Sequence, residues 1–301
     1  MSAPRVLFDD PGPRGRRTIA VATFVISVLV LLVLFWGFRT LAGSGELALA
    51  KWKPFWQQWA AAFLLDGLWG TLQVTALAAV VSFPVGALLG IGRAGRNRLV
   101  RWVCTAYIEI FRSVPTLLLV YVFLFALPGM GVNLSIFLKL TVPIILVNAA
   151  VIAEIVRAGI GSLDRGQTEA ALAVGMTSGL AMRMVILPQA IRLVVPSLVT
   201  QLVALLKDST LGYVVSFPEL MKQANTLANN TKLLLQAFIV VSAIYVLINF
   251  ALTRLATWLE SRIREGRGHV AGPAAPAVGA GPQPGTPETL HDNQPAAVAP
   301  R

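Results

Sequence analysis

Long apolar runs without a formal charge are the feature that most limits how this chain can fold. The run Thr18–Phe38 has no charged residue over 21 positions, and a helix of that length crosses about 30 Å of hydrocarbon. Comparable runs occupy Gly67–Gly92 and Leu233–Thr253. Only 13% of all residues are charged, against roughly 25% in a soluble domain. The chain is therefore predicted to be an all-α integral membrane protein.

Polar segments between the apolar runs divide the chain into parts. Six crossings are predicted, the last five at about 67–92, 102–127, 141–160, 193–213 and 233–253. The predicted parts are a cytoplasmic N-terminal segment (1–17), an extra N-terminal transmembrane helix (18–41), an extracytoplasmic interfacial segment (42–66), a five-helix transmembrane domain (67–264) and a disordered cytoplasmic tail rich in Pro, Ala and Gly (265–301). A cleaved signal peptide is the alternative for the first run, but its apolar region would be only about 7–15 residues long.

Arginine residues gather on one side of the six predicted crossings. They precede the first crossing and follow the second, fourth and sixth, whereas the opposite loops hold only a few lysines, such as Lys51 and Lys139. Because basic residues favour the cytoplasm, both termini and the fourth-to-fifth connection are predicted to be cytoplasmic. This distribution accounts for the net charge of +11 without nucleic-acid binding, since the basic residues form no continuous stripe.

Several classes of chemistry are excluded by residues that the sequence lacks. No G-x-x-x-x-G-K loop occurs, so the chain does not by itself hold ATP in the usual way. Cys104 is the sole cysteine, and His269 and His291 both lie in the tail. We therefore expect no disulfide, no metal, no cofactor and no catalytic residue.

The segment Gln167–Arg192, between the fourth and fifth crossings, carries a spaced motif. Glu169-Ala170-Ala171 is followed by Gly175 and, after eleven more residues, by Leu187-Pro188. Gly175 lacks the Cβ that would resist a bend, Pro188 suits the start of a helix, and Glu169 is expected near a helix N-terminus, where negative charge is favoured. The pattern predicts two short helices meeting at a bend, and an ordinary Ala-rich hairpin is the alternative.

This spacing resembles the cytoplasmic EAA coupling loop of ABC-importer permeases, with Val185 where the family pattern has isoleucine. Four other segments resemble the polar amino-acid permeases of that group, although Ser113 and Val114 depart from the family's Gly and Thr. These segments are 67–73 (GLWGTLQ), 108–115 (IEIFRSVP), 148–160 (NAAVIAEIVRAGI) and 205–211 (LLKDSTL). The resemblance covers about residues 67–264, and the extra first crossing is most like the glutamate-uptake permeases of actinobacteria.

The resemblance implies the type I ABC-importer permease fold in the bacterial cytoplasmic membrane. It implies import of a polar amino acid, expected to be glutamate, by alternating access. The implied partners are an ABC ATPase dimer, an extracytoplasmic amino-acid-binding protein and a second permease subunit, expected to be a related chain rather than a copy. The residues implied in ATPase coupling are Glu169, Ala170, Ala171, Gly175, Leu187 and Pro188.

Three alternatives stay open beside this interpretation. The first is an importer of the same kind for another polar amino acid. The second is an ATP-independent carrier, although one built from inverted repeats should have two similar halves, and no such repeat is visible. The third is an intramembrane enzyme.

Charged residues within the predicted crossings are candidates for the substrate path, because charges in a membrane usually face an interior or a cavity. Glu109 and Arg112 are three residues apart, as are Glu154 and Arg157, so each pair can form along its own helix. Arg112 is assigned to a substrate carboxylate and Glu154 to its ammonium group, with Glu109 and Arg157 as supporting charges. A purely structural ion-pair network is the alternative.

Asn148 and the group Lys207-Asp208-Ser209 are weaker candidates for the entry path. For Lys207 and Asp208 an interfacial ion pair is the alternative.

Overall fold

The computed structural model describes residues 12–265, and these are almost entirely helical. The α-helices are α1 (Pro13–Gly43), α2 (Leu49–Trp52), α3 (Gln58–Ala94), α4 (Arg98–Ser113), α5 (Thr116–Tyr121), α6 (Leu127–Gly129), α7 (Ile136–Gly161), α8 (Arg165–Ala173), α9 (Ser178–Ala181), α10 (Leu187–Asp208), α11 (Leu220–Thr231) and α12 (Leu234–Glu265). Single 3-10 turns occupy Lys53–Trp56 and Ser209–Tyr213, and π-helical turns occupy Val122–Ala126 and Met182–Ile186. The predicted disordered tail lies outside the described residues, as does most of the predicted N-terminal segment.

Five continuous helical segments among the described residues are long and apolar enough to cross a membrane. They are Arg14–Gly43, Gln58–Ala94, Ile136–Gly161, Ser178–Tyr213 and Leu234–Leu255. They match the predicted first, second, fourth, fifth and sixth crossings. α3 begins at Gln58 rather than at Gly67, so the end of the segment predicted as interfacial is part of a membrane-length helix.

The predicted third crossing is broken. α4 and the segment Thr116–Gly129 meet at a bend of 93°, with Pro115 immediately before α5. Proline disfavours helical geometry in the residue before it, and Val114 is accordingly extended. Counting this bent pair as one crossing brings the number to the predicted six.

α3 and α7 pack against each other along a seam of small residues. A Cβ on Gly86 would lie 2.7 Å from the carbonyl oxygen of Ala149, and one on Gly90 would lie 2.5 Å from that of Ala153. Glycine at these two positions lets the helix backbones approach closely, as is common between membrane helices. A buried apolar cluster continues this contact to α5 and α10; its members are Val74, Ala78, Val120, Leu140, Ile144, Leu205 and Val215.

A second buried cluster joins α11 to the amino-terminal halves of α3 and α12. Its members are Phe55, Leu64, Leu220, Ala224, Leu227, Ala228, Ala237 and Val241. Glu219 caps the amino terminus of α11 by accepting backbone N–H bonds from Met221 at 2.8 Å and Lys222 at 2.7 Å. Its carboxylate also accepts a bond from the Tyr245 hydroxyl at 3.1 Å.

α1 is held to the rest of the chain through the segment that follows it. Its apolar run has no residue buried within the chain, whereas Gln236 of α12 donates to the backbone and side chain of Glu46 at 2.8 and 3.0 Å. The chain divides into the compact units Met1–Trp258 and Leu259–Arg301. Of the second unit, only the end of α12 is described.

Candidate coupling loop and charged sites

The predicted bend in the EAA segment is present. α8 ends at Ala173, and Gly175 has φ +86°, a left-handed conformation that strongly favours glycine. Glu169 and Ala170 are exposed, while Ala171 is buried. Glu169 does not lie at the helix amino terminus as expected, because α8 starts four residues before it.

Asp164 provides the negative charge at the start of α8. Its side chain accepts the backbone N–H of Gly166 at 2.6 Å, a usual N-cap contact. The sequence motif drew attention to Glu169, but the residue that caps the helix lies five positions earlier.

Pro188 is the second residue of α10, as expected, but α10 continues without a break from the helical turn before it. The helical segment begins at Ser178, passes through the π-helical turn Met182–Ile186 and continues as α10. Within this turn the N–H of Leu187 donates to the carbonyl of Met182. The wider π turn lies directly before Pro188, which cannot donate a backbone hydrogen bond of its own.

A charge cluster joins α3, α4 and α7; its members are Arg93, Glu109, Glu154 and Arg157. Arg93 donates to Glu154 at 3.0 Å and to Glu109 at 2.8 Å. Arg157 donates to the other Glu154 oxygen at 2.9 and 2.5 Å. The Glu154–Arg157 pair therefore forms along its own helix, as the spacing allowed. The carboxylate of Glu109 is paired with Arg93 instead of Arg112.

The predicted substrate ligand Arg112 is exposed and is not in a short-range ion pair among the described residues. Its positive charge still acts on Glu154 over a longer distance. The Glu109 side chain is 56% exposed. These two charges are therefore not buried within this chain.

A separate polar cluster of Asn148, Gln201 and Asp208 lies between α7 and α10. Asn148, which is 1% exposed, donates to Asp208 at 3.0 Å and accepts from Gln201. Lys207 is exposed and forms no ion pair with Asp208 among the described residues. The interfacial pair held open as an alternative is thus not formed, and Ser209 is buried with its hydroxyl donating to Leu206.

The predicted path residues of α7 belong to different sites. Asn148 and Glu154 are six residues apart, which separates them by about 9 Å along the helix and by about 120° around it. Asn148 therefore faces α10, whereas Glu154 faces α3 and α4.

Two residues of these sites were not singled out from the sequence. In the sequence, Arg93 is one of the basic residues that indicate orientation, and Gln201 is part of the predicted fifth crossing. The sequence nevertheless carries a signal for each of these two residues. Arg93 directly follows a charge-free run, and Gln201 is a lone amide within an apolar one.

A bundle of membrane-length helices with a close glycine seam and polar groups buried between them is the architecture of a polytopic membrane protein. The chain belongs to the binding-protein-dependent transport system inner membrane component family, whose model matches residues 82–265. It is a multi-pass protein of the cytoplasmic membrane. It is a permease subunit of an ABC importer for amino acids, and such a subunit is not itself an enzyme.

Named relatives agree on amino-acid transport. The chain is 38% identical to the glutamate transport system permease protein GluD of Corynebacterium glutamicum, covering 75% of this chain and 85% of the relative. It is 36% identical to the probable glutamine ABC transporter permease protein GlnM of Bacillus subtilis, covering 67% and 93%. It is 34% identical to the glutamate/aspartate import permease protein GltK of Escherichia coli O157:H7, covering 66% and 93%.

A solved structure has the same fold. The crystal structure of an amino acid ABC transporter with histidines matches with a TM-score of 0.63 and 31% identity, over 67% of this chain and 94% of that one. A fold of this kind implies an ATPase, a binding protein and a second permease as partners.

Proposed function

We propose that this permease subunit imports glutamate into the cytoplasm by alternating access. The observation that carries this proposal is the 38% identity to a glutamate transport permease over 232 residues. Glutamine is the second candidate, because the glutamine-type relative is nearly as similar at 36%. Both substrates share the amino-acid head group and differ in the charge of the side chain.

The proposed importer has four kinds of subunit. An ABC ATPase dimer hydrolyses ATP, an extracytoplasmic binding protein delivers the amino acid, and a second permease, expected to be a related chain, completes the path. Both termini and the segment 161–192 are assigned to the cytoplasm on the arginine distribution. The exposed Glu169 and Ala170 of α8 are the proposed contacts with the ATPase.

The polar cluster is the proposed substrate contact within this subunit. Asp208 supplies a carboxylate for the ammonium group of an amino acid. The buried Asn148 donates to this carboxylate, and Gln201 in turn donates to Asn148. A charge held this way inside a membrane protein is commonly part of a transport path. Lys207 and Ser209 flank Asp208 in the chain. They are placed beside the proposed path without a direct role in binding.

Glu154 is less suited to ammonium binding than Asp208. Both of its oxygens already accept bonds from arginines, so binding an ammonium group would require breaking an ion pair. Arg112, exposed and without a close partner among the described residues, remains the proposed contact for a substrate carboxylate. Glu109 and Arg157 remain supporting charges.

The test is uptake of labelled glutamate into liposomes that contain the complete importer, with its binding protein outside and ATP inside. Unlabelled glutamine and aspartate serve as competitors. We expect Asp208→Asn to lower uptake at least tenfold while the ATPase still responds to the loaded binding protein. Lys53→Gln is the control, because it removes an exposed charge outside the polar cluster, and its uptake should match the parent.

The assignment of the substrate and the assignment of the polar cluster can fail separately. Uptake of glutamine without glutamate would move the assignment to the second candidate. Parent-level uptake by Asp208→Asn would remove the polar cluster from the substrate path. Loss of Asp208→Asn from the membrane, with rescue by Asn148→Ala, would make the cluster structural.

A further inference from the structure

Arg93 connects three helices that are otherwise joined mainly by apolar packing. It is the last charged residue of α3, and its two terminal nitrogens bind carboxylates on different helices, Glu109 of α4 and Glu154 of α7. The fork of a guanidinium group suits two simultaneous bonds of this kind, which a lysine ammonium would hold less well. The Arg93 side chain is 20% exposed and that of Glu154 is 23% exposed, so the bond between them is partly shielded from water. The Glu109 side chain is 56% exposed, so its bond to Arg93 is the more accessible of the two.

The same connection reaches the coupling loop three residues later. Arg96 donates to the hydroxyl of Ser178 at 2.5 Å, and Ser178 begins the helix that follows the Gly175 bend. Arg96 and Ser178 also line a cavity of about 660 Å³ between the ends of α3 and α7 and the coupling loop.

α4 is the partner best placed to move. The α3–α7 seam fixes those two helices against each other, with backbone carbonyls where a Cβ would otherwise fit. α4, in contrast, is separated from α5 by the 93° break at Ser113–Thr116. Apart from Arg93, α4 is attached to α3 through Cys104 and Val100, which lie beside Gly92. It is attached to α7 through the Tyr107 hydroxyl, which donates to the carbonyl of Leu146 at 3.0 Å.

We propose that Arg93 is a positioning residue that clamps α4 to α3 and α7, and that the Arg96–Ser178 bond links this clamp to the coupling loop. When the ATPases close and carry the coupling loop with them, the pull on Arg96 releases Arg93 from Glu109, and α4 moves away from α3. This inference rests on the proposed function, because it takes the segment 161–192 as the part that follows the ATPases.

The sole cysteine of the chain reports on this movement without any added label site. Cys104 is 8% exposed and lies against Gly92, so a water-soluble maleimide should modify it slowly while α4 is clamped. Thiol modification requires access as well as the thiolate form. Separation of α4 from α3 should therefore raise the rate of Cys104 modification.

The experiment measures Cys104 modification in the assembled importer, built with cysteine-free partner subunits, at rest and after trapping with ATP and vanadate. In the parent we expect modification to be at least fivefold faster in the trapped state. Arg93→Gln should give the fast rate already at rest, with ATP hydrolysis no longer dependent on the loaded binding protein. Arg93→Lys should restore slow modification in part, because a lysine can bind one of the two carboxylates.

Ser178→Ala tests the link separately and is a mild change. It should keep the slow resting rate but lose the increase on trapping, since the clamp no longer follows the loop. Arg101→Gln is the matched control, because it removes an exposed α4 arginine with no ion pair among the described residues, and it should behave as the parent.

Two results would overturn the proposal. One is an equal Cys104 rate in the parent at rest and when trapped; the other is a parent-like rate in Arg93→Gln at rest. If Arg93→Gln does not assemble, an unchanged trapping response in Ser178→Ala has the same consequence. Failure of the proposed substrate is distinguishable, because an importer that moves no glutamate still gives the Cys104 comparison.

Discussion

At the scale of single residues, Glu219 is the only acidic residue that is fully buried among the described residues. Burial raises the pKa of its carboxyl group from 4.5 to about 7, against the opposing effect of the bonds from Met221, Lys222 and Tyr245. The carboxyl group sits at the start of α11, where it satisfies backbone groups that would otherwise lack partners. It therefore helps to fix the short helix between the last two crossings.

Protonation of Glu219 should make stability depend on pH. The unfolded chain releases this proton near pH 4.5 and the folded chain holds it to about pH 7, so stability should fall as pH rises between these values and then level off. The shift sets an upper limit of about 3 kcal/mol on the effect. Thermal unfolding midpoints of the purified subunit in detergent across this range should show the fall, and Glu219→Gln should remove it.

Glu46 offers a control of opposite sign. Its hydrogen bond with Lys51 lowers the pKa of the Glu46 carboxyl group, so its stabilising contribution is present at neutral pH and is lost as pH falls through the lowered pKa. Glu46→Gln should therefore lower stability at neutral pH and remove the loss at the acidic end, while the fall between pH 4.5 and about 7 remains. An unaltered fall between pH 4.5 and about 7 in Glu219→Gln would contradict the role given to Glu219.

Gly175 gives a second prediction at this scale. Gly175→Trp should remain in the membrane but lose uptake and substrate-stimulated ATP hydrolysis, because a large side chain is added at a left-handed position of the proposed ATPase contact. Gly175→Asn distinguishes the effect of backbone conformation from that of side-chain size. Asparagine adopts the left-handed conformation more readily than most residues, so this variant should keep more activity than Gly175→Trp. Parent-level coupling in Gly175→Trp would refute the coupling-loop assignment.

Residue spacing predicted interactions within a helix better than interactions between helices. The Glu154–Arg157 pair followed from its i,i+3 separation, as did the glycine at the bend. The partner of Glu109 did not, because Arg93 reaches it from another helix across a contact that depends on how α3 and α4 pack. The bond from Asn148 to Asp208 likewise joins residues 60 positions apart.

At the scale of helices, the α3–α7 seam should be sensitive to size. Gly90→Leu places side-chain atoms against the backbone of Ala153, and overpacking of this kind costs about 1–3 kcal/mol or more. We expect a lower thermal midpoint and a lower yield in the membrane. Gly37→Leu in α1 is the matched control, because no atom lies within 4 Å of a Cβ there; an equal loss in both variants would contradict the seam.

Apolar runs predicted the crossings because hydrocarbon thickness sets their length. They did not predict the 93° break, since α4 and the segment after it are both apolar enough to be joined into one run. Pro115, directly before α5, is the residue in the sequence that signals this break. The charge-free run did not predict the start of α3 at Gln58 either, because Asp66 interrupts the apolar residues before Gly67.

At the scale of the whole molecule, orientation is the prediction most easily tested. A reporter active only outside the cell should be silent when fused after Arg264 and active when inserted near Gly131, because the arginines lie on the side assigned to the cytoplasm. Colony assays of both fusions give the answer, with immunoblots to control for expression. The reverse pattern would mean that the number of crossings is wrong by one, most simply at Thr18–Phe38.

The π-helical turn Met182–Ile186 also bears on how the length of this chain can vary. Each i→i+5 ring encloses one residue more than an α-helical ring, so removal of one residue there can restore an ordinary helix. Elsewhere in α10 such a deletion would rotate all later side chains by about 100° and take Asp208 away from Asn148. Single-residue insertions and deletions among chains that share this fold are therefore expected at this turn, with Met184, 63% exposed, as the residue most readily lost.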